Sequence, residues 1–192
     1  MTTHVDNVGL LFFRTWLRAP LRTAALGPSS AGLGRVAARE ANIGTRGPVI
    51  EFGAGTGALT AALVAEGVRC DRLILFESDP GFQAVLRCRF PGARVIGGDC
   101  YGGIDALDAE NVAAFVSGLP IVQEPADRRA AFVLSCLDRL GRPEARFVQL
   151  TSLPFSPVPG NLLPGISIRQ SATVWANLPP ARVFSYWRPA EG

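Results

Sequence analysis

Lysine is absent from this chain, and histidine occurs only once. All 19 basic residues are therefore arginine, a bias that reflects genome composition more than mechanism. Because the single histidine, His4, lies beside the N-terminus, acid–base chemistry by histidine is not expected. Long apolar runs are missing too, since none approaches the ~18 residues that indicate a membrane-spanning helix. The best early run, residues 8–13, ends at Arg14 without the flanks of a signal peptide, so no signal peptide is expected.

Cysteine is scarce, and its spacing is uninformative. The chain has four cysteines, none in a C-x-x-C motif: Cys70, Cys88, Cys100 and Cys136. Free thiols are expected, and neither a metal site nor a disulfide is predicted. The length of 192 residues and the hydrophobic content of 48% indicate one globular domain with a substantial core.

The net charge of +3 is distributed unevenly along the chain. Residues 1–46 carry six arginines against Asp6 and Glu40, which is a net +4. Residues 47–192 carry thirteen arginines against fourteen acids, which is a net −1. The location of the positive charge, rather than its amount, is the informative feature.

An amphipathic helix is predicted over residues 8–26, with Pro20 kinking or ending it. Arg14, Arg18 and Arg22 share one narrow arc of this helix. The broad opposite face holds Leu10, Phe13, Trp16, Leu17 and Leu21, with Phe12 at its edge. Such a helix suits the interface of a lipid bilayer, and the pattern alone fits a helix packed on the core equally well.

The stretch at residues 51–57, Glu-Phe-Gly-Ala-Gly-Thr-Gly, is the most informative in the chain. It follows an apolar run and precedes a helical pattern. Three glycines at alternate positions let the backbone approach a ligand, because glycine has no side chain and tolerates unusual dihedral angles. The following helix offers free N–H groups to polar parts of that ligand. Taken alone, the pattern is also consistent with a strand-to-helix turn that binds nothing.

Strands and helices alternate through most of the chain. After a break at Gly27-Pro28, a helix at 31–41 is predicted, capped by Ser29 or Ser30. Strands are then predicted at 48–52, 73–77, 93–97, 112–117 and 145–151, helices at 57–66, 80–88 and 126–140, a loop with a short helix at 101–110, and a closing hairpin at 166–175 and 182–187. This order predicts an α/β fold with a seven-stranded, mostly parallel, Rossmann-like sheet and a closing antiparallel hairpin.

Acidic residues follow the second and third predicted strands. Glu77 lies twenty residues after Gly57, where a doubly wound sheet places the acid that holds ribose hydroxyls. Asp99 follows the third strand, where it is well placed to accept a hydrogen bond from an exocyclic amine. Because neighbouring parallel strands end at the same edge, these acids and the glycine turn are expected to line one crevice.

With these features the chain resembles class I S-adenosylmethionine-dependent methyltransferases over roughly residues 28–188. The resemblance implies that residues 51–57 meet the methionine part of the cofactor, Glu77 the ribose and Asp99 the adenine. It places residues 117–120, Ser-Gly-Leu-Pro, beside the reactive methyl group. The cofactor is a sulfonium without a phosphate, so carboxylates near it are favourable. Its product is S-adenosylhomocysteine, and no metal is expected.

The segment after the fourth predicted strand restricts which kind of substrate can accept the methyl group. Methyltransferases of adenine amines place Asn or Asp first and an aromatic residue after the proline, whereas this chain has Ser117 and Ile121. A flipped base is therefore disfavoured, and nucleic acid is not an expected partner. The chain instead resembles bacterial phospholipid N-methyltransferases, which convert phosphatidylethanolamine towards phosphatidylcholine. The matching pieces are Trp16 and residues 28–30, 51–57, 117–120, 155–158 and 174–181.

That resemblance implies a phospholipid substrate and an anionic membrane surface as partners. The enzyme is expected in the cytoplasm, peripherally bound to the inner face of the cytoplasmic membrane, with residues 1–46 as a helical membrane-binding or lid extension and residues 47–192 as the methyltransferase domain. Alternatives are another amino-lipid such as ornithine lipid, an RNA adenine, or a non-catalytic binding module. A monomer is the default expectation, and the number of methyl groups added stays open.

The predicted site residues form three groups. The cofactor-binding group is Glu51, Gly53, Ala54, Gly55, Thr56, Gly57, Glu77, Ser78, Asp99, Cys100 and Ser117, with Ser29 and Ser30 as part of a lid. The membrane-binding group is Phe12, Phe13, Arg14, Trp16, Leu17, Arg18 and Arg22. Ser117 and Tyr101 are the candidate catalytic residues, Glu124 and water are alternative proton acceptors, and the ring of Tyr101 or Trp16 is a candidate contact for the methylated head group.

Overall fold

The computed structural model describes residues 28–175 and 180–190, with side chains from residue 32 onward. The predicted helix at 8–26, its membrane-binding residues and the side chains of Ser29 and Ser30 lie outside the described residues. Across the two described ranges, no helix is long and apolar enough to cross a membrane.

The seven predicted strands form one mixed sheet. They are β1 (Val49–Phe52), β2 (Leu73–Phe76), β3 (Arg94–Ile96), β4 (Val112–Ser117), β5 (Gly141–Thr151), β6 (Ser167–Gln170) and β7 (Arg182–Trp187). Their order across the sheet is β3-β2-β1-β4-β5-β7-β6. Strands β1 to β5 are parallel, and β7 runs antiparallel to both β5 and β6. The predicted Rossmann-like sheet with a closing hairpin is therefore confirmed.

Helices cover both faces of the sheet. They are α1 (Pro28–Glu40), α2 (Ala58–Ala65), α3 (Pro80–Arg89), α4 (Cys100–Gly103) and α5 (Ala126–Ser135), with a π-helical turn at Cys136–Leu140. Every residue of β1, β2 and β4 is buried, as expected for parallel strands covered on both sides. One face packs aromatic side chains, namely Phe52, Phe76, Phe115, Phe132, Phe147 and Tyr186. Each such ring contributes roughly 1.5–3 kcal/mol through burial.

Helix α1 belongs to the opposite, aliphatic face. The last turn of α1 and the residue after it are almost completely buried, at Ala37, Ala38 and Ala41. A Cβ on Gly34 would lie 2.1 Å from Cβ of Ala62, so α1 and α2 cross in close contact. Glu40 accepts a hydrogen bond from Ser185 Oγ of β7 at 2.8 Å. The end of the predicted N-terminal extension is thus packed as an integral layer of the domain.

Two predicted helices differ from the structure. Helix α1 begins at Pro28, not at residue 31, so the prediction that Ser29 or Ser30 caps it is wrong. Proline suits a first helical position, because its φ is already helical and its missing N–H needs no partner there. The short helix predicted with a loop over 101–110 is a single turn that begins at Cys100, one residue before that range, and ends at Gly103. Two consecutive glycines, Gly102 and Gly103, have low helix propensity and explain the early end.

The strand boundaries also shift near the C-terminus. Strand β5 begins at Gly141 rather than residue 145, because Gly141 pairs with Val112 across a register irregularity. Strand β6 ends at Gln170, five residues before its predicted end. The ladder with β7 resumes only as an isolated bridge between Val174 and Ala181.

Candidate active site

The turn between β1 and α2 holds three glycines in the left-handed region. Gly53, Gly55 and Gly57 have φ values of 73°, 55° and 84°, which other residues rarely adopt. A Cβ on Gly53 would lie 2.7 Å from Cδ2 of Leu119. One on Gly57 would lie 2.4 Å from Cε2 of Phe90. Close packing therefore requires the first and third glycines, in addition to backbone conformation.

Glu77 joins the glycine turn to the loop after β2. Its carboxylate accepts hydrogen bonds from the backbone N–H of Gly55 at 2.7 Å and of Asp79 at 2.9 Å. The residue is 8% exposed. Each carboxylate oxygen keeps a further lone pair, so Glu77 can also accept from a ligand hydroxyl. Sequence spacing predicted where Glu77 lies, but its bond to Gly55 depends on the meeting of two strands.

Asp99 caps helix α4 at the end of β3. Its carboxylate accepts from the backbone N–H of Tyr101 at 3.2 Å and of Gly102 at 3.3 Å. The side chain stays 63% exposed, and the guanidinium of Arg128 lies 3.8 Å away. Lone pairs remain for a ligand amine, so the predicted adenine contact stays a prediction.

Glu51 is fully buried and lies outside the walls of the cleft at this edge. Thr60 Oγ1 donates to Oε2 of Glu51 at 2.7 Å, whereas Oε1 has no partner among the described residues. Burial raises the pKa of Glu51 to about 8, although the Thr60 hydrogen bond opposes the shift. A buried oxygen without a donor is costly, so this carboxyl group marks a place where a donor group fits.

Two buried polar side chains hold the loop after β4 from inside. Ser117 is fully buried, and its Oγ accepts from the backbone N–H of Leu119 at 3.3 Å. Gln149 is also buried, and its Nε2 donates to the backbone oxygens of Leu119 at 2.9 Å and Leu150 at 2.8 Å. Ser117, a predicted catalytic residue, is therefore a support of the loop and not part of the cleft wall. Sequence reasoning missed Gln149, although an amide within the apolar strand β5 was the available signal.

Tyr101 does line the cleft, but its ring is already packed, and its buried hydroxyl has no hydrogen-bond partner among the described residues. The ring centroid lies 4.5 Å from that of Phe132, and Cζ of Arg128 lies 4.7 Å from it. Burial raises the pKa of Tyr101, and the nearby charges of Cys100 and Glu124 add to the shift. A phenol is protonated at neutral pH even with its ordinary pKa, and the upward shift makes the anion of Tyr101 still less available as a proton acceptor. Because Arg128 already covers the ring, this ring has less area for a cationic head group.

A cleft of about 190 Å³ lies at the carboxyl edge of the sheet, which is the edge where the parallel strands end. It is lined by Gly53, Phe76, Glu77, Ser78, Gly98, Asp99, Cys100, Tyr101, Leu119, Pro120, Ile121, Gln123 and Glu124. Glu77, Ser78, Asp99, Cys100 and Tyr101 are thus brought together as the sequence predicted. The remaining predicted residues of the glycine turn, Ala54, Gly55, Thr56 and Gly57, lie behind Gly53 and outside the walls.

Solved structures of similar fold are methyltransferases. A TehB-like SAM-dependent methyltransferase from Corynebacterium glutamicum has a TM-score of 0.61 and 15% identity, and the match covers 96% of this chain and 100% of that one. The 1,6-didemethyltoxoflavin-N1-methyltransferase of Burkholderia thailandensis, with bound S-adenosylhomocysteine, has a TM-score of 0.63 and 17% identity, covering 98% of this chain and 92% of that one. At these identities the likeness shows the fold alone.

Sequence comparison is more specific. No protein-family model matches the chain. The ornithine lipid N-methyltransferase of Singulisphaera acidiphila is 32% identical over 152 residues, which cover 76% of this chain and 78% of that protein. The chain belongs to the class I S-adenosylmethionine-dependent methyltransferases. This methyltransferase is therefore an enzyme that shares its family with the ornithine lipid enzyme.

The residues of the methyltransferase fit S-adenosylmethionine. The cofactor carries ammonium, hydroxyl and amine donors and a cationic sulfonium, but no phosphate. Three carboxylates, Glu77, Asp99 and Glu124, line the cleft, and no arginine is among its walls. In its ionised form Glu51 offers a further acceptor at the end of β1, since its Oε1 has no partner among the described residues. In the part of the chain that the structure describes, no cluster of three metal-ligating side chains occurs.

Proposed function

We propose that this methyltransferase N-methylates the head-group amine of a membrane amino-lipid. The observation that carries the proposal is the 32% identity to an ornithine lipid N-methyltransferase. Phosphatidylethanolamine and its methylated derivatives, on the way to phosphatidylcholine, are the first candidate substrates because of the sequence resemblance. Ornithine lipid is the second candidate substrate, because the relative with 32% identity is an ornithine lipid N-methyltransferase. Both lipids present a primary amine on a zwitterionic head group.

Charge in the cleft supports an amine acceptor. Glu77, Asp99 and Glu124 line the cleft, and Arg128 balances part of their charge, since it pairs with Glu124 and lies 3.8 Å from Asp99; the remaining negative charge favours a head-group ammonium. Glu124 lies in the loop after β4, where its carboxylate accepts from Arg128 at 2.7 Å. This loop is the one that the sequence resemblance places beside the reactive methyl group. The carboxylate of Glu124 keeps further lone pairs beside its bond to Arg128, and these can accept from the ammonium.

The chemistry is a direct displacement. The bound cofactor supplies a methyl carbon to the neutral amine nitrogen, and the electron pair of the broken C–S bond stays on sulfur. The ammonium must first lose a proton, which Glu124 or water accepts, because Tyr101 stays protonated. Leu119 and Pro120 form an apolar wall that keeps bulk water away and positions the amine. Positioning supplies most of the rate enhancement in such a reaction.

An RNA adenine is less well supported as the acceptor. The residue after Pro120 is Ile121, which is 3% exposed and packs in the aromatic core. A flipped base needs an accessible aromatic ring for stacking at such a site. The segment at 8–26, with three arginines and no acid, instead favours peripheral attachment to an anionic inner membrane face.

The test is a methylation assay on the full chain. Labelled S-adenosylmethionine is incubated with vesicles of phosphatidylethanolamine, vesicles that also contain ornithine lipid, and ribosomal RNA in separate reactions. Label is expected in lipid, and chromatography of the products identifies the head group and the number of methyl groups. Label in RNA alone, or no labelled lipid from protein that binds the cofactor, would reject the proposal.

A further inference from the structure

Exposed apolar side chains cluster at one edge of the sheet. Among the described residues, the two most exposed large apolar side chains are Trp175 at 76% and Phe155 at 62%. Val122 follows at 42%. Burial of tryptophan and phenylalanine is normally favourable, so side chains this open are candidates for contact with another surface.

The topology places all three residues at the carboxyl edge. Val122 follows β4, and Phe155 comes four residues after Thr151, the last residue of β5. Thr151 pairs with Arg182 at the start of β7. Trp175 follows the bridge that Val174 makes with Ala181, next to Arg182. Because β4, β5 and β7 are neighbours in the sheet, the three residues follow or precede neighbouring strands at the edge that carries the cleft.

The N-terminal segment joins the domain at the same edge. A Cβ on Gly32, in the first turns of α1, would lie 3.8 Å from Cγ1 of Val174. Helix α1 then runs away from this edge, since Glu40 reaches Ser185 and the chain enters β1 at Val49. The described chain thus begins at Pro28, about one helical turn before the contact of Gly32 with Val174, and the basic segment at 8–26 precedes it in the sequence.

We infer that Val122, Phe155 and Trp175 form an apolar rim that docks on the surface of an anionic lipid bilayer. The inference rests on the proposed function, since a lipid substrate requires the cleft to reach the head groups while the acyl chains stay in the bilayer. Tryptophan and phenylalanine insert at the level of the head groups, and a neighbouring basic segment adds attraction to anionic lipid. Docking through the rim turns the cleft towards the head group that is methylated.

Tryptophan quenching tests the orientation directly. The variant W16F/W187F keeps Trp175 as its only tryptophan, and the variant W16F/W175F keeps Trp187 as the control. Trp187 ends β7 and pairs with Ser167, at the opposite edge of the sheet. The vesicles contain phosphatidylethanolamine and phosphatidylglycerol with brominated acyl chains. On these vesicles the fluorescence emission of Trp175 is expected to shift to shorter wavelength and to be quenched by bromine. Trp187 is expected to stay unquenched. Absent quenching of Trp175, or equal quenching of both, overturns the inference.

A second measurement uses the double variant F155S/W175S. Its partition onto the same vesicles without bromine is expected to fall about tenfold, because binding scales with buried apolar area. The matched control V85S/I168S removes two exposed apolar side chains, on α3 and β6, away from the rim. This control should bind vesicles as the natural chain does. If F155S/W175S binds vesicles as well as the natural chain does, the inference is overturned. It is also overturned if the natural chain forms a dimer that F155S/W175S abolishes, while bromine does not quench Trp175.

The two proposals fail in different ways. If the natural chain binds vesicles through Trp175 but methylates no lipid, the proposed function is wrong and the bilayer contact stands. If it methylates lipid while Trp175 stays unquenched, the proposed function stands and the rim is wrong. Binding of S-adenosylhomocysteine to F155S/W175S, measured by calorimetry, is expected to be unchanged and shows that the variant is folded.

Discussion

Glu77 shows how one side chain serves both the fold and the ligand. Its carboxylate holds the backbone N–H groups of Gly55 and Asp79, and it also forms part of the cleft wall. A hydrogen bond to a charged group contributes about 1.5–3 kcal/mol. The cofactor site is therefore partly built by the residue that is expected to bind the ribose.

Replacement of this carboxylate tests the ribose assignment. In Glu77→Gln, one acceptor oxygen is replaced by an NH₂ group, which is a donor and faces the backbone N–H donor of Gly55 or Asp79. We expect the affinity for S-adenosylhomocysteine to fall roughly tenfold or more, equivalent to about 1.4 kcal/mol. Isothermal titration calorimetry measures the change, with the exposed Glu66→Gln as the control. Unchanged affinity in Glu77→Gln would contradict the assignment.

Glu51 makes the stability of the protein depend on pH. Its pKa is raised from 4.5 to about 8 in the folded state, chiefly by burial. Between these values the folded state holds a proton that the unfolded state has lost. The contribution to stability is therefore fully present below pH 4.5 and is lost as the pH rises through about 8.

The variant Glu51→Gln removes this proton while keeping the shape of the side chain. We expect its free energy of unfolding to depend less on pH than that of the natural chain, by up to about 1.4 kcal/mol per pH unit between pH 5 and 7.5. Urea unfolding of the cofactor-free protein across this range gives the slopes. Parallel slopes for the two proteins would show that Glu51 is not protonated in the fold.

At the scale of the element, the β1–α2 turn depends on two separate constraints. Gly57 begins the helix with a positive φ, and its Cα also faces the ring of Phe90. Gly67, just after α2, has a φ of 102° but nothing within 4 Å of the position of a Cβ. The two glycines thus share a positive φ, which would strain any other residue, and they differ in packing.

Alanine at each position separates these effects. Gly67→Ala is expected to lower the free energy of unfolding by about 1 kcal/mol through backbone strain alone. Gly57→Ala is expected to cost about 1–3 kcal/mol more, because its methyl group overlaps Phe90. Thermal or urea unfolding of both variants measures the difference. Equal losses would mean that Phe90 moves aside at little cost.

At the scale of the whole molecule, one edge of the sheet gathers the functional surfaces. The cleft, the apolar rim and the connection to the basic N-terminal segment all lie where the parallel strands end. The opposite edge carries Trp187, whose ring is flanked by Arg146 and Arg169. This division gives the molecule an orientation relative to a planar partner.

Removal of residues 1–26 tests the contribution of the basic segment. Each arginine near an anionic surface contributes about 1 kcal/mol, and salt screens the attraction. We expect the shortened chain to lose vesicle binding at low salt while it keeps its affinity for S-adenosylhomocysteine, because the cleft lies in later residues. Vesicle flotation measures the binding. Flotation that is unaffected by the truncation would exclude a role for this segment.

Local patterns in the sequence determined the fold class and the order of the elements. The apolar strands, the glycines of residues 51–57 and the acids Glu77 and Asp99 act through near neighbours in the chain. Their spacing therefore predicted the seven-stranded sheet and the edge at which the cleft lies. The start of α1 and the exact bounds of the short helix α4 were not predicted, because a proline or a pair of glycines is compatible with more than one local structure.

Only the tertiary structure decided which side chains face the cleft. Ser117 and Gln149 turn inward because neighbouring strands bury both residues beneath Leu119. Burial raises the pKa of Tyr101 above its ordinary value, and this burial depends on how α4 packs on the core. These outcomes rest on contacts between residues far apart in the chain. Burial and strand pairing control them, and neither is encoded in the spacing of a motif.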